Sequence, residues 1–534
     1  VILLDEATVG RAQTEELRQA FAKLRKADKP VYAHADSLQM RDYVLLSGVS
    51  RLSVVPTGDL WVTGLFGETP YLRGLLDLLG VQPDFLTCGE YKSAAEIFMR
   101  KEPSPQAEKM QNWLFDSLFE TEIGLIAEGR GVSADKARAW IDGGPYSAEK
   151  AKAAGLIDAV EQRQALEAAL QEKFGKEIVF ERKYGKKKQP KVDLSSPLAV
   201  FQVWAELLGD AQKKKKSTRP AVGIVYVDGA IMLGKSTSSL FGGSGAFSTD
   251  IRKALDEAAR DDSIKAVVLR VDSPGGSATA SEIILDATQR LREKKPLIVS
   301  MGNVAGSGGY YVACGSELIY ADAATITGSI GVVGGKLATR SMWNKIGINF
   351  QTYKRGENAG MLSSDATFTQ SERERMQDWM DDIYEVFKGH VVKIRGKRLK
   401  KPIDELAGGR VFTGRQAVEL GLVDKIATLQ DAIARIAEEA KVTDYEVRVV
   451  PAPKNFLEKL IEEATGGRED SHHLDEANAA LGVGQKVSLL NLAQPYLEHL
   501  DPERVKGVRR ALQSLQLLQQ EGVILMMPEI TTAP

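Results

Sequence analysis

Ser307 lies in the run MGNVAGSGG, residues 301–309, which leads directly into Tyr310, Tyr311 and Val312. Glycines on both sides of a serine permit a sharp turn and the close approach of a substrate carbonyl, and a helix beginning there aims free N–H groups at developing negative charge. The chemistry expected of such a serine is nucleophilic attack on an acyl carbon. The same nonamer is also compatible with a glycine-rich turn that packs a strand on a helix. A second cluster, in AVVLRVDSPGGSATASE, joins the apolar strand Ala266 to Val271 to a helix expected from about Ser277. Its turn, Pro274, Gly275 and Gly276, offers backbone amides to a ligand. One amide from this loop and one from Gly308 would give an acyl oxyanion two donors. Both loops follow apolar strands, the end at which α/β sheets gather their ligands.

An activating base is needed, and the five histidines, His34, His390, His472, His473 and His499, all lie outside glycine-rich settings. A Ser/His/Asp arrangement therefore has weak support. A lysine serves instead if its amine is desolvated enough to be neutral near pH 7. Lowering its pKa by about 2 to 3 units from the reference near 10.4 costs roughly 3 to 4 kcal/mol.

The elements that must position these groups come in two copies, offset by 266 or 267 residues. Gly80 matches Gly347, Gly89 matches Gly356, Gly155 matches Gly421 and Asp158 matches Asp424. Within the second copy, AVGIVYVDG, AVVLRV and PLIVSM alternate with helical stretches such as ASEIILDATQRLREK, the pattern of an α/β protein with a largely parallel sheet. The copies diverge at the chemistry. Ser307 aligns with Met40 or Arg41, whereas Lys92, in CGEYKSAAEIFMR of the first copy, aligns with Ala359. Each half thus carries one part of a dyad, and Ile97, Phe98 and Met99 are candidates to bury the lysine.

These motifs, RVDSPGGSATASE, VSMGNVAGSGGYYVA and TITGSIGVVGG in the second half and GEYKSAAEIFMR in the first, resemble the signal peptide peptidase A family in its long, tandem-repeat bacterial form. The resemblance covers roughly residues 1 to 445. It implies a serine/lysine protease of the ClpP/crotonase-like fold, with Ser307 as nucleophile, Lys92 as general base and the amides of Gly276 and Gly308 as oxyanion hole. It further implies that the Ser329 hydroxyl, in TGSIG, orients the lysine amine. Also implied are a homotetrameric ring, cleaved signal peptides or other apolar peptides as substrates, and a membrane anchor that holds the enzyme at the periplasmic face of the bacterial inner membrane.

Composition bounds this reading. The 534 residues are 43% hydrophobic and 27% charged with a formal net charge of −2, as for a globular protein with room for two cores and no global field favouring nucleic acid. Cys88 and Cys314 read as small core residues without a disulfide framework, and no metal-ligand spacing or cofactor motif is present. No apolar run of about 18 residues occurs. The first strand aligns with Val267 to Val271, so the first repeat is expected to be truncated at its N-terminus.

The organisation expected is a first repeat over 1–181, a basic linker over 182–219, a second repeat over 220–450 and an extension over 451–534. In the linker, LAVFQVWAELLG between lysine-rich flanks reads either as a connector helix or as an element lying on a membrane surface. In the extension, VILMMPEI reads as a plain strand in preference to a peptide docked in a groove as a self-product. Two further classes remain open: a crotonase-like acyl-CoA enzyme, whose paired amides stabilise an enolate, and a noncatalytic ring that binds peptides.

Overall fold

Strands whose residues are apolar on both faces must be covered on both faces. In the computed structural model, which describes residues 1–4, 9–181, 217–236, 245–452, 502–528 and 530, the second half obeys that demand. Ala221–Asp228, Ile264–Ser273 and Leu297–Gly306 lie side by side in parallel, with Val267 opposite Gly223 on one flank and Leu297 on the other. Alternate residues divide between two cores, as the two-residue period of a strand requires. Val225, Val267 and Leu269 pack in one core with Ile284 and Leu285 of the helix Ala278–Arg292. Val222, Ala266 and Val268 face Ala432, Ile433 and Ile436 of the helix Leu429–Glu439.

The first half repeats this plan in smaller form, as a parallel sheet in the order Ile2–Leu4, Tyr32–Ala35, Arg51–Val54, Ala159–Val160. Elements correspond in order. The helix Arg11–Lys26 matches Ala278–Arg292, Met40–Leu46 matches Gly308–Ala313, and Pro105–Arg130 matches Gln370–Arg395. The fold is therefore α/β, built of two tandem ClpP/crotonase-like repeats. They are also joined: the Glu15 carboxylate accepts from the amides of Ala323 and Ala324 at 2.9 and 2.6 Å, and Glu16 pairs with Arg270 at 3.0 Å.

One departure from the repeat builds the site. The second half forms a strand at Val332–Ala338, whereas its equivalent, residues 65–71, forms none; the first half forms one at Gln82–Cys88, whereas residues 349–355 do not. These two unmatched strands pair with each other, antiparallel, from Val332 opposite Cys88 to Ala338 opposite Gln82. The segment carrying Lys92 follows directly from this strand.

The Pro274–Gly276 segment, expected as a turn, is a short strand, Gly275–Ser277, paired with its neighbours on both sides. Gly275 and Gly276 reach it at φ 103° and 154°, and a Cβ on either would strike backbone carbonyls at 2.0 Å, so only glycine fits so close to two flanking chains. One of those chains is the C-terminal strand Val523–Met526, led in by the helix Pro502–Glu521. Residues 182–216, including the basic amphipathic segment, and 453–501 of the extension lie outside the described residues.

Candidate active site

Ser307 ends the strand Leu297–Gly306 and caps the helix Gly308–Ala313, with its backbone in the left-handed region at φ 53°. Its amide donates to the carbonyl of Gly328 at 2.7 Å, and its carbonyl accepts from Tyr311 at 2.8 Å. These bonds fix a side chain that is fully buried. A Cβ added at Gly308 would lie 3.1 Å from the amide nitrogen of Gly276, so the backbones of the two glycines approach each other beside Ser307.

Lys92 reaches the same point from the other repeat. Its Nζ lies 2.8 Å from Ser307 Oγ, 2.9 Å from the carbonyl oxygen of Ser329 and 3.0 Å from Ser329 Oγ. The two residues are 215 positions apart in the chain, and they meet within one chain. Nζ thus lies within hydrogen-bond distance of three oxygens. An uncharged amine, with two N–H groups and one lone pair, would donate to two of them and turn the lone pair to the third.

Burial holds the Lys92 pKa well below the ordinary value and so favours the uncharged amine, because a desolvated ammonium loses its hydration. Lys92 makes no ion pair among the described residues that would restore the charge. Cys88, whose charge would act on Lys92, is itself pushed up to about 12 by burial and by its hydrogen bond to Asp381, which favours the neutral thiol.

The enclosure of Lys92 comes from residues the sequence did not single out. A Cβ on Gly409 would lie 2.5 Å from the Lys92 Cα, one on Gly331 would lie 3.1 Å from its Cδ, and one on Gly89 would meet the Gly408 backbone at 2.4 Å. Backbone of the second repeat thus packs flush on the lysine stem. Ile97 and Phe98 instead join a separate cluster with Leu72, Leu76 and Phe85. Gly331 in SIGVVGG and the glycine pair in LAGGR were the available signal, since tightly apposed backbones require such residues.

Of the histidines, His34 bonds to Ser53 and His390 to Glu282, neither to Ser307; His472, His473 and His499 lie outside the described residues. No group of acidic, cysteine or histidine side chains suited to a metal ion occurs among the described residues.

The family model for "Peptidase family S49" matches residues 23–176 and 289–443, one stretch in each repeat. The chain belongs to peptidase family S49. Among its S49 relatives, "Serine protease SPPA, chloroplastic" of Arabidopsis thaliana is 29% identical over 82% of this chain and 62% of its own length. "Protease 4" of Haemophilus influenzae is 32% identical over 78% of this chain and 65% of its own length. "Protease 4" of Salmonella typhi is 29% identical, covering 87% and 73%. The chain thus spans less than two thirds of the length of the first two S49 relatives. No helix among the described residues is long and apolar enough to cross a membrane.

Proposed function

We propose that the chain is a serine endopeptidase working through a Ser307/Lys92 dyad. The observation that carries this reading is the 2.8 Å approach of the Lys92 amine to Ser307 Oγ, with both Ser329 oxygens left to receive the amine hydrogens. Neutral Lys92 takes the Ser307 proton as Oγ attacks the scissile carbonyl, and the Gly276 and Gly308 amides hold the oxyanion. Lys92 then gives that proton to the leaving amine. Water, activated by the same amine, hydrolyses the ester and regenerates Ser307. Ser329 orients Nζ so that its lone pair addresses the nucleophile.

Extended apolar peptides, cleaved signal peptides among them, are the substrate class this reading favours. Peptide binding by strand addition would use the edges of Gly275–Ser277 and Val332–Ala338 that the chain's own strand Val523–Met526 covers in this structure, and the walls between them are apolar. An acyl-CoA enzyme that stabilises an enolate would leave the Lys92–Ser307 contact without a purpose.

The same departure between the repeats supports assembly into a closed ring. Gln82–Cys88 of the first repeat docks on Val332–Ala338 of the second inside one chain. The equivalent pair, 349–355 and 65–71, stays unpaired and exposes Phe350, Tyr353 and Phe66. Joining those surfaces between chains, head to tail, gives a homo-oligomer, for which a tetramer is the size implied by the resemblance. Membrane association at the periplasmic face belongs to the same reading.

The direct test is hydrolysis of a signal-peptide-like substrate by the wild type, Ser307→Ala and Lys92→Ala. Loss of activity in both variants is expected. Undiminished hydrolysis by either would remove the dyad.

A further inference from the structure

Ser307 reaches its place through an irregularity in the strand that carries it. Ile264–Ser273 and Leu297–Gly306 pair in step up to Val271 opposite Met301, and the next pair is Ser273 opposite Ala305, so one strand takes four steps where the other takes two. Gly302, Asn303 and Val304 form the resulting bulge. Had the pairing continued in step, Ser273 would face Asn303, and Ser307 would lie two residues, about 7 Å, further along the strand. The bulge draws the serine back to the level of Gly275, where an added Cβ would lie 2.7 Å from the Gly308 amide nitrogen.

A bulge takes backbone groups out of the ladder, and side chains take them up here. The Asp272 carboxylate accepts from the Val304 amide at 3.0 Å and from Asn303 Nδ2 at 3.1 Å. Thr325 donates its hydroxyl to the Gly302 carbonyl at 2.8 Å. A Cβ on Gly302 would lie 2.6 Å from Asp272 Oδ2, so the bend closes on the carboxylate only with glycine there. Asn303 Oδ1 in turn accepts from the Ala12 amide at 3.1 Å, in the first turn of the helix Arg11–Lys26. The orientation of the carboxamide is fixed, because a carboxylate only accepts and a backbone N–H only donates. Gly10 admits the contact, since a Cβ there would overlap Asn303 Oδ1 at 2.1 Å. One side chain thus ties the bulge beside the nucleophile to the repeat that supplies Lys92.

We infer that Asn303 and Asp272 are positioning residues: they set the height of Ser307 against Lys92, and they make it depend on the docking of the helix Arg11–Lys26. This rests on the peptidase reading. Neither side chain bonds to Ser307, Lys92, Gly276 or Gly308, so both act through the placement of the nucleophile. A shift of about 1 Å at a reacting atom can lower a rate by about 100-fold. The polarity of the pair is decisive, because each of the three bonds sets a donor against an acceptor. Asn303→Asp turns two carboxylates on each other. Asp272→Asn leaves two N–H donors face to face whichever way the amides turn. Exchanging the two residues restores every bond: the introduced amide accepts from Val304 and donates to the introduced carboxylate, which accepts from Ala12.

Steady-state hydrolysis of an apolar peptide by the full chain, with the rate of Ser307 acylation by a serine-directed reagent measured alongside, tests this. The variants are Asn303→Asp, Asp272→Asn, the exchange Asn303→Asp/Asp272→Asn, and Asn303→Ala. Both kcat and the acylation rate should fall by roughly 10- to 100-fold in each single variant with KM held within about 2-fold, and return to within about 3-fold of wild type in the exchange. An exchange no better than its single variants overturns the inference, as does a loss confined to KM. Asn303→Ala adds no charge and keeps the bond from Val304 to Asp272, so it carries the test where circular dichroism shows a charge variant unfolded. Wild-type kcat in folded Asn303→Ala, beside an active wild type, rejects positioning and leaves the peptidase reading standing. A wild type inert toward both peptide and reagent removes that reading and this inference with it.

Discussion

Ser307 and Ser329 share a backbone conformation that serine seldom adopts, at φ 53° and 52°, and the Ser307 amide donates to the carbonyl of Gly328, the residue before the second serine. A left-handed non-glycine residue costs of order 1–2 kcal/mol. Surrounding bonds sustain both: the Ser329 amide donates to the Arg410 carbonyl at 2.6 Å. The result of this paired strain is that two hydroxyls from adjacent loops converge on one amine.

Ser329→Gly separates the strain from the chemistry. Glycine accepts φ 52° without cost, and the main-chain carbonyl that binds Nζ at 2.9 Å remains. Thermal stability should hold or rise slightly, while kcat falls by roughly 10-fold, the order of one lost orienting hydrogen bond of about 1–1.5 kcal/mol. KM should change little, because Ser329 touches the base and not the peptide. A loss confined to KM would contradict its orienting role.

Lys92→Met should trade activity for stability. General-base loss lowers kcat by roughly 10²–10⁴-fold. The sign of the linkage follows from the lysine's lowered pKa. Between that folded value and the unfolded value near 10.4, the unfolded chain holds one proton more, so this residue makes stability rise with pH across the window and fall on the acid side. Methionine removes both the burial penalty and the slope, and the gain in melting temperature over wild type should be larger at pH 6 than at pH 9. In the wild type, kcat/KM should climb with pH through the lowered lysine pKa and then level. A rate that falls as pH rises through that range would show that a protonated lysine is required.

How far the site was legible from the chain depended on what each residue had to do locally. Ser307, Gly308 and the Pro274–Gly276 loop stand out because close backbone approach demands glycine in a short window, whereas the choice of the Gly276 amide is implied by the resemblance. Lys92 was identified through the repeat, since its partner position is Ala359 and nothing within GEYKSAAEIFMR distinguishes a buried amine from a solvated one. The alternation of apolar strands and helices gave the α/β class for the same reason, each period being local. The enclosure by Gly331, Gly408 and Gly409 was missed because it is a contact between repeats, more than 200 positions from Lys92. The PGG segment was read as a turn because glycine favours turns; two flanking chains convert it to a strand.

Mixing Ser307→Ala with Lys92→Ala should restore nothing. Both halves of the proposed dyad meet within one chain, so an assembly of the two variants would still hold only broken sites. Recovery of even a quarter of wild-type activity after co-refolding would mean that chains exchange repeats. Active-site titration of the mixture is the measurement.

Tyr353→Asp combined with Phe350→Asp should disperse the proposed ring. Both side chains are exposed in the isolated chain, and neither touches the dyad, so the fold should survive. Carboxylates on a surface that would otherwise be buried between chains each cost several kcal/mol unless paired, enough to shift assembly by orders of magnitude. Light scattering should report a fall in mass to that of one chain, with far-ultraviolet circular dichroism unchanged. An unaltered oligomer would place the contact elsewhere.

Asp322 gives the joint between the repeats a pH dependence of its own. Neither carboxyl oxygen finds a donor among the described residues, and burial, with Glu15 and Glu16 adding like charge, pushes its pKa up to about 9. The folded chain therefore keeps a proton that the unfolded chain releases above pH ~4. Between those two values the folded state holds the extra proton, so stability falls as pH rises, by about 1.4 kcal/mol per pH unit for a fully coupled group. Asp322→Asn cannot ionise and should flatten this part of the profile. The advantage of the variant over the wild type in urea midpoint should grow from pH 6 to pH 8, by roughly 2–3 kcal/mol in unfolding free energy. A difference constant with pH would show that Asp322 carries the same charge in both states, with Arg270 outweighing the repulsion from Glu15 and Glu16.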